Sequence, residues 1–349
     1  MPGRTARLPL PSPARRVWRH WTSPQGFRSL AIAVAALLWA VIPSGAAVRL
    51  TGSGLGCPEW PHCEDSIVPA ADHHAWIEFT NRVFSAAIIL LAIVAWFAAR
   101  RLPGRPVRLR RPALASAAMT VGQIPLGAVT VAYDLHPLLV ACHFALSVLA
   151  LSAGVVLALR AHDAARGVVR GTDRGLGVPG AVTAAALAVV IATGMLVTAS
   201  GPHSGDRGVL DRIWALDEAA YVHVRAVIAF GALAALLGAL IWRRVRAGLV
   251  LDRATRVTLA AAAPLIGAQV ALGEIQYRSG LPWGVILVHV GVAGLLWIAA
   301  LVAAYRLARP AEGQERRSAR DWQGTHLSAS GSASSRRSGM GAPQSTQSP

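Results

Sequence analysis

Eight long apolar segments, separated by short links that hold most of the charged residues, constrain this chain more than any other feature of its sequence. An α-helix needs about 20 apolar residues to cross the hydrocarbon core of a bilayer. Only 15% of the 349 residues are charged, against roughly a quarter in soluble domains. The segments lie near residues 28–48, 76–98, 112–132, 137–159, 180–199, 219–242, 257–276 and 283–305. The sequence therefore predicts an all-α integral membrane protein with eight transmembrane helices, although Gln123 and Pro125 interrupt the third segment.

The net charge of +17 comes from arginine, since the chain contains no lysine. Its distribution argues against nucleic-acid binding, because the arginines cluster on the arm 1–27 and in the links after the second, fourth and sixth segments. Links rich in basic residues lie on the cytoplasmic side of a membrane. We therefore expect a multi-pass protein of the plasma membrane with both termini in the cytoplasm. Residues 307–349 are rich in Ser, Gly, Gln and Arg and are predicted to form a disordered tail.

Several short patterns occur twice in the same order. Gln123, Leu126-Gly127 and His143 recur 146 residues later as Gln269, Leu272-Gly273 and His289, and Thr51–Gly54 resembles Thr198–Gly201. The common spacing predicts two pseudo-repeated four-helix bundles, residues 28–160 and 180–306, with a cytoplasmic linker at 161–179. Helix bundles hold cofactors in their interiors, between side chains of facing helices.

Three histidines lie inside even-numbered segments at similar depth. His143 and His289 are each about six residues from the outer end of their segment, roughly 9 Å at the helical rise, and His223 is at a similar level. Imidazole is a common axial ligand of haem iron, and polar residues inside a membrane usually mark function. His223 and His289 belong to one predicted bundle, so we expect them to clamp a haem from both faces. An interhelical hydrogen bond is the alternative for each histidine.

An ionisable cluster begins the second segment. Glu78, Asn81 and Arg82 share one helix face at i, i+3 and i+4, with His74 one turn earlier. The functional interpretation is an acid–base carboxylate with an arginine that pairs with a haem propionate. The alternative is a solvated helix cap or a simple ion pair.

The first outer link contains Cys57 and Cys63 around two prolines. Outside the cytoplasm thiols oxidise readily, which favours a disulfide over a free thiol pair or a metal site with His62. Cys142, beside His143, is interpreted as a small core residue.

These residues together resemble the haem A synthase family. The resemblance covers roughly residues 30–305, and its clearest elements are Thr51–Cys63, Glu78–Arg82, Leu126-Gly127 before His143, Thr198–Asp206, and Leu281-Pro282 before His289. It implies oxidation of the C8 methyl group of haem O to the formyl group of haem A, which serves cytochrome oxidase. Haem O synthase and an electron acceptor are the implied partners.

The resemblance also implies roles for particular residues. His223 and His289 match the ligands of a haem b cofactor in the second bundle. The first bundle would bind the substrate haem, with Glu78 as the catalytic carboxylate and His143 as an iron ligand. Arg82 would anchor a propionate, and Cys57 and Cys63 match the family's paired loop cysteines.

The chain departs from the family pattern at Asn81, where many members have His before the arginine that matches Arg82. Asn is a poor iron ligand, so the substrate haem would have His143 alone, with His74 as a possible substitute. The link after the fifth segment has His203 and Asp206 in place of a second cysteine pair.

Three other functions fit parts of the sequence. A bis-histidine b-type cytochrome that only transfers electrons needs neither Glu78 nor a substrate pocket. A transporter with tandem repeats is weakened by the position of the histidines in the outer leaflet. A membrane bundle with structural histidines is the plainest alternative.

Overall fold

The computed structural model describes residues 13–57, 63, 68–69, 72–104, 106–202 and 213–310. Within these ranges the chain forms α1 (Pro13–Trp21), α2 (Pro24–Leu50), α3 (His73–Arg101), α4 (Val107–Ala132), α5 (Pro137–Ala165), α6 (Arg174–Ser200), α7 (Leu216–Arg246), α8 (Arg253–Arg278) and α9 (Trp283–Ala308). Helices α2 to α9 are each long and apolar enough to cross a membrane. The eight predicted spans are therefore confirmed, and the protein is a multi-pass, all-α membrane protein.

Several helices begin at polar caps that lie before the predicted apolar segments. The side chains of Ser23, Asp72 and Asp252 each accept a hydrogen bond from a backbone N–H in the first turn of the following helix, which satisfies a donor without an intrahelical partner. Helix α4 is continuous although it contains Pro112 and Pro125. The short helix α1 lies in the predicted arm and was not predicted. Most of the predicted tail, residues 311–349, lies outside the described residues.

The spans pack as two groups of four. In the first group α2, α3, α4 and α5 form a closed ring, in which each helix contacts both neighbours. In the second group α6 contacts α7 and α9, and α9 contacts α8, but α7 and α8 do not contact each other within the described ranges. The second group is therefore open along one side.

The two groups are joined through α2, α5, α6 and α9. Trp39 of α2 donates its indole N–H to the carbonyl of Gly291 in α9 at 3.0 Å, and Trp297 donates to Ser152 Oγ in α5 at 2.9 Å. At the opposite end from the histidines, the buried carboxylate of Asp163 accepts hydrogen bonds from Arg170, both at 2.6 Å, and from Tyr305 at 2.8 Å. The two tryptophan bonds satisfy polar groups where the bilayer interior offers no water, and the Asp163 cluster joins α5 to α9 near the helix ends.

Matched contacts recur in the two groups. Gln123 Nε2 donates to the carbonyl of His143 at 3.3 Å, and Gln269 Nε2 donates to that of His289 at 2.9 Å. Leu135 and Leu281, in the corresponding links, have φ of 56° and 62°, a conformation that is uncommon for leucine. These contacts support the repeat for α4–α5 and α8–α9, while a repeat of the whole chain stays a prediction.

Candidate functional site

The link after α2 folds back against the start of α3, at the end of the helices that the arginine pattern places outside. Cys57 and Cys63 form the predicted disulfide, with 4.4 Å between their Cα atoms, and both are buried. A Cβ at Gly56 would lie 2.6 Å from the carbonyl carbon of His74, so only glycine permits this close approach. His62, the metal ligand of the alternative interpretation, lies outside the described residues.

Glu78 is the buried centre of this region, with 5% of its surface exposed. Its Oε1 accepts hydrogen bonds from Arg82 Nε at 3.1 Å and Nη2 at 2.5 Å, and its Oε2 accepts one from the backbone N–H of Cys57 at 2.9 Å. Arg82 Nη2 also donates to the carbonyl of Cys57 at 2.9 Å. The ion pair offered as the alternative to a catalytic cluster is thus present, and it ties the disulfide loop to α3.

Asn81 and His74 both contact residues of the α2 side. Asn81 Oδ1 accepts a hydrogen bond from Ser44 Oγ at 2.8 Å, and His74 Nδ1 is 2.9 Å from Ser53 Oγ. Ser53 is fully buried. The hydrogen bond fixes the His74 ring at the base of the outer loop.

His143 lies on α5 against α4. A Cβ at Gly127 of α4 would be 3.5 Å from His143 Cε1, so this glycine makes room for the ring. His143 Nδ1 is enclosed without a hydrogen-bond partner. Among the residues that the structure describes, no hydrogen bond or ion pair joins His143 to Glu78. Cys142 is exposed, so its interpretation as a core residue was wrong.

His223 of α7 and His289 of α9 both belong to the second group. His223 Nδ1 is 3.0 Å from Thr193 Oγ1 of α6, and a Cβ at Gly194 would be 3.2 Å from His223 Cε1. A Cβ at Gly273 of α8 would be 3.6 Å from His289 Cε1, and His289 Nδ1 is enclosed without a hydrogen-bond partner. Each ring therefore rests against a glycine of a neighbouring helix.

This arrangement fits a haem group. His289 Nε2 is neither enclosed nor hydrogen-bonded among the described residues, and His223 contacts Thr193 through Nδ1. Nε2 is a usual metal-binding atom of imidazole. When Nε2 binds iron, His223 Nδ1–H donates to Thr193 Oγ1, and an outer contact of this kind orients a histidine ligand. Within the described residues α7 and α8 do not contact each other, so the second group is open between the two helices.

Sequence reasoning missed Thr193 and Gly194. Their signal was a polar residue beside a glycine inside an otherwise apolar segment. His203 and Asp206, singled out in the link after α6, lie outside the described residues.

Residues 28–203, half of the chain, match the family described as cytochrome oxidase assembly protein. Among curated relatives, the haem A synthase of Shewanella oneidensis is 33% identical over 121 residues, which cover 30% of this chain and 36% of that protein. The haem A synthase of Bacillus licheniformis is 29% identical over 143 residues, 40% of this chain and 47% of that protein. The matched part thus spans less than half the length of either relative.

A protein of another name also matches. The protohaem IX farnesyltransferase of Thermus thermophilus is 41% identical over 93 residues, 25% of this chain and 15% of that protein. The family match ends at residue 203, so His223 and His289 lie beyond it.

Proposed function

The chain belongs to the cytochrome oxidase assembly protein family, and we propose that it acts as a haem A synthase, which oxidises the C8 methyl group of haem O to the formyl group of haem A. The observation that carries this proposal is the pair of matched histidine sites, one in each group of helices. His143 and His289 each pack against a glycine and have their carbonyl held by a glutamine. In this proposal one of the two sites holds the haem that is oxidised, and the other holds the haem that passes electrons.

In this proposal the second group is the cofactor site. His223 and His289 would hold haem b as a bis-histidine centre, which supplies electron transfer when bound and leaves no iron position for oxygen. Thr193 would fix the His223 ring through Nδ1.

The first group is the proposed substrate site, with His143 as the iron ligand. Asn81 contacts Ser44 and is not an iron ligand in this proposal, and His74 is a weaker substitute because Ser53 fixes its ring. Glu78, which pairs with Arg82, would stabilise positive charge that develops at the methyl carbon. The hydrogen bonds on both of its oxygens make this role a better fit than proton acceptance.

We place the protein in the plasma membrane with cytoplasmic termini, from the arginine pattern. Haem O synthase is the proposed source of substrate, and the similarity to a protohaem IX farnesyltransferase supports that link. An electron acceptor is required because oxidation of a methyl group releases electrons.

The first experiment is to purify the protein in mild detergent from cells that make haem O, and to separate its extracted haems by chromatography. Haem B together with haem O, haem A or a hydroxylated intermediate is the expected result. Haem B alone would instead support the electron-transfer cytochrome, and the absence of haem would contradict both functions.

Glu78→Gln tests the catalytic carboxylate. We expect the variant to keep haem b and to stop forming haem A. The matched control is Glu274→Gln, because Glu274 pairs with Arg278 at the same spacing but both side chains are mostly exposed. Full haem A formation by Glu78→Gln, or equal loss in both variants, would contradict the assignment.

A further inference from the structure

A partly buried arginine in the first group has an unused donor. Arg49 lies in the last turn of α2, and its Nη1 is enclosed without a hydrogen-bond partner. Within the described part of the chain, no carboxylate forms an ion pair with it. The helix dipole favours a cation at this terminus but does not provide the missing acceptor, and an enclosed donor without a partner is costly.

The position of Arg49 on α2 indicates which helix it faces. Leu38 packs against α5, since its Cδ1 would be 2.9 Å from a Cβ at Gly154. Ile42 lines a small cavity together with Phe144 and Val148 of α5. Gly45 and Arg49 continue this series at helical spacing, so they lie on the same face of α2.

The antiparallel packing of α2 and α5 also sets the level of Arg49. The contact between Leu38 and Gly154 fixes one common level of the two helices. Arg49 follows Leu38 on α2 by as many residues as His143 precedes Gly154 on α5. Both distances are about 16 Å at the helical rise, so the two residues lie at one level. A Cβ at Gly45, one turn from Arg49, would meet no atom within 4 Å. Open space therefore lies on this face of α2, one turn from Arg49.

We propose that Arg49 binds a propionate carboxylate of the haem that occupies the site at His143, an inference that rests on the proposed function. The planar guanidinium matches a carboxylate well. Arg82, to which the sequence assigned this role, is engaged by Glu78 and by the carbonyl of Cys57. Arg49 is thus the positioning residue for the substrate, and Arg82 holds the outer loop.

The test compares two probes on the full-length protein whose second site already carries haem b. Iron protoporphyrin IX and its dimethyl ester, which lacks the propionate charges, are titrated separately, and the Soret absorbance is followed. We expect the wild-type protein to bind the free acid roughly 10- to 100-fold more tightly than the ester, as for a charged hydrogen bond. Arg49→Gln should lose this preference while it still binds the ester, Arg49→Lys should keep part of it, and the exposed control Arg111→Gln should keep all of it.

Equal affinity of the wild-type protein for both probes would overturn the proposal, and this result does not depend on whether any variant folds. An equal loss of both probes in Arg49→Gln would also overturn it, because that is the result for a purely structural residue. If His143→Ala leaves both titrations unchanged, the site itself is absent, and the proposed function fails together with the role of Arg49.

Discussion

Gly194→Ala perturbs the proposed haem b site with a single added methyl group. The new Cβ would lie 3.2 Å from His223 Cε1, whereas two carbon atoms attract best at about 3.5–4.0 Å. The ring must therefore move by a few tenths of an ångström, or the helices must separate. Overpacking of this kind costs about 1–3 kcal/mol, and each 1.4 kcal/mol corresponds to a tenfold change in binding. We expect haem b to bind roughly 5- to 150-fold more weakly.

The assay is the ratio of haem b to protein after purification, followed by the rate of haem loss to a haem-binding competitor. Gly267→Ala in α8 is the matched control, because a Cβ there would meet no atom within 4 Å. That variant should retain haem b and gain a little helix stability, about 0.5–1 kcal/mol. Wild-type retention of haem b in Gly194→Ala would refute the packing of His223 against α6.

Three further predictions concern contacts that hold the fold and the site. Asp163→Asn breaks the buried pair with Arg170 and should lower the free energy of unfolding by about 3–5 kcal/mol; an unchanged midpoint of thermal unfolding in detergent would contradict this. Thr193→Val removes the hydrogen bond to His223 and should weaken haem b binding about tenfold or more, with a shift in the haem potential; an unchanged potential and retention would exclude the contact. Replacing Cys57 and Cys63 together by Ser should cost about 2 kcal/mol of stability but leave haem b in the second group, and loss of that haem would show that the loop acts on both groups.

Much of the fold could be predicted from the sequence because the bilayer imposes a simple rule. A run of apolar residues long enough to cross must be helical, and this rule placed all eight spans. It held even where Gln123 and Pro125 interrupt α4, because Gln123 finds a partner in the carbonyl of His143. Helix α1 was missed since its Arg-rich sequence gives no membrane signal.

The contacts of the candidate site were less predictable. The spacing of the residues placed Glu78 and Arg82 on one helix face. It could not reveal that the backbone N–H of Cys57 donates to Glu78 and that the carbonyl of Cys57 accepts from Arg82. That contact depends on how a link of irregular structure folds. Likewise, the repeat predicted two similar groups and gave no sign that α3 contacts α4 while α7 and α8 stay apart within the described residues.

The division of labour between the two groups is tested most directly by the haem content of His143→Ala and His289→Ala, each purified from cells that make haem O. The account predicts that His143→Ala keeps haem b but carries no haem O or haem A, and that His289→Ala loses haem b. Loss of haem b from His143→Ala, or an unchanged set of haems in both variants, would contradict the account.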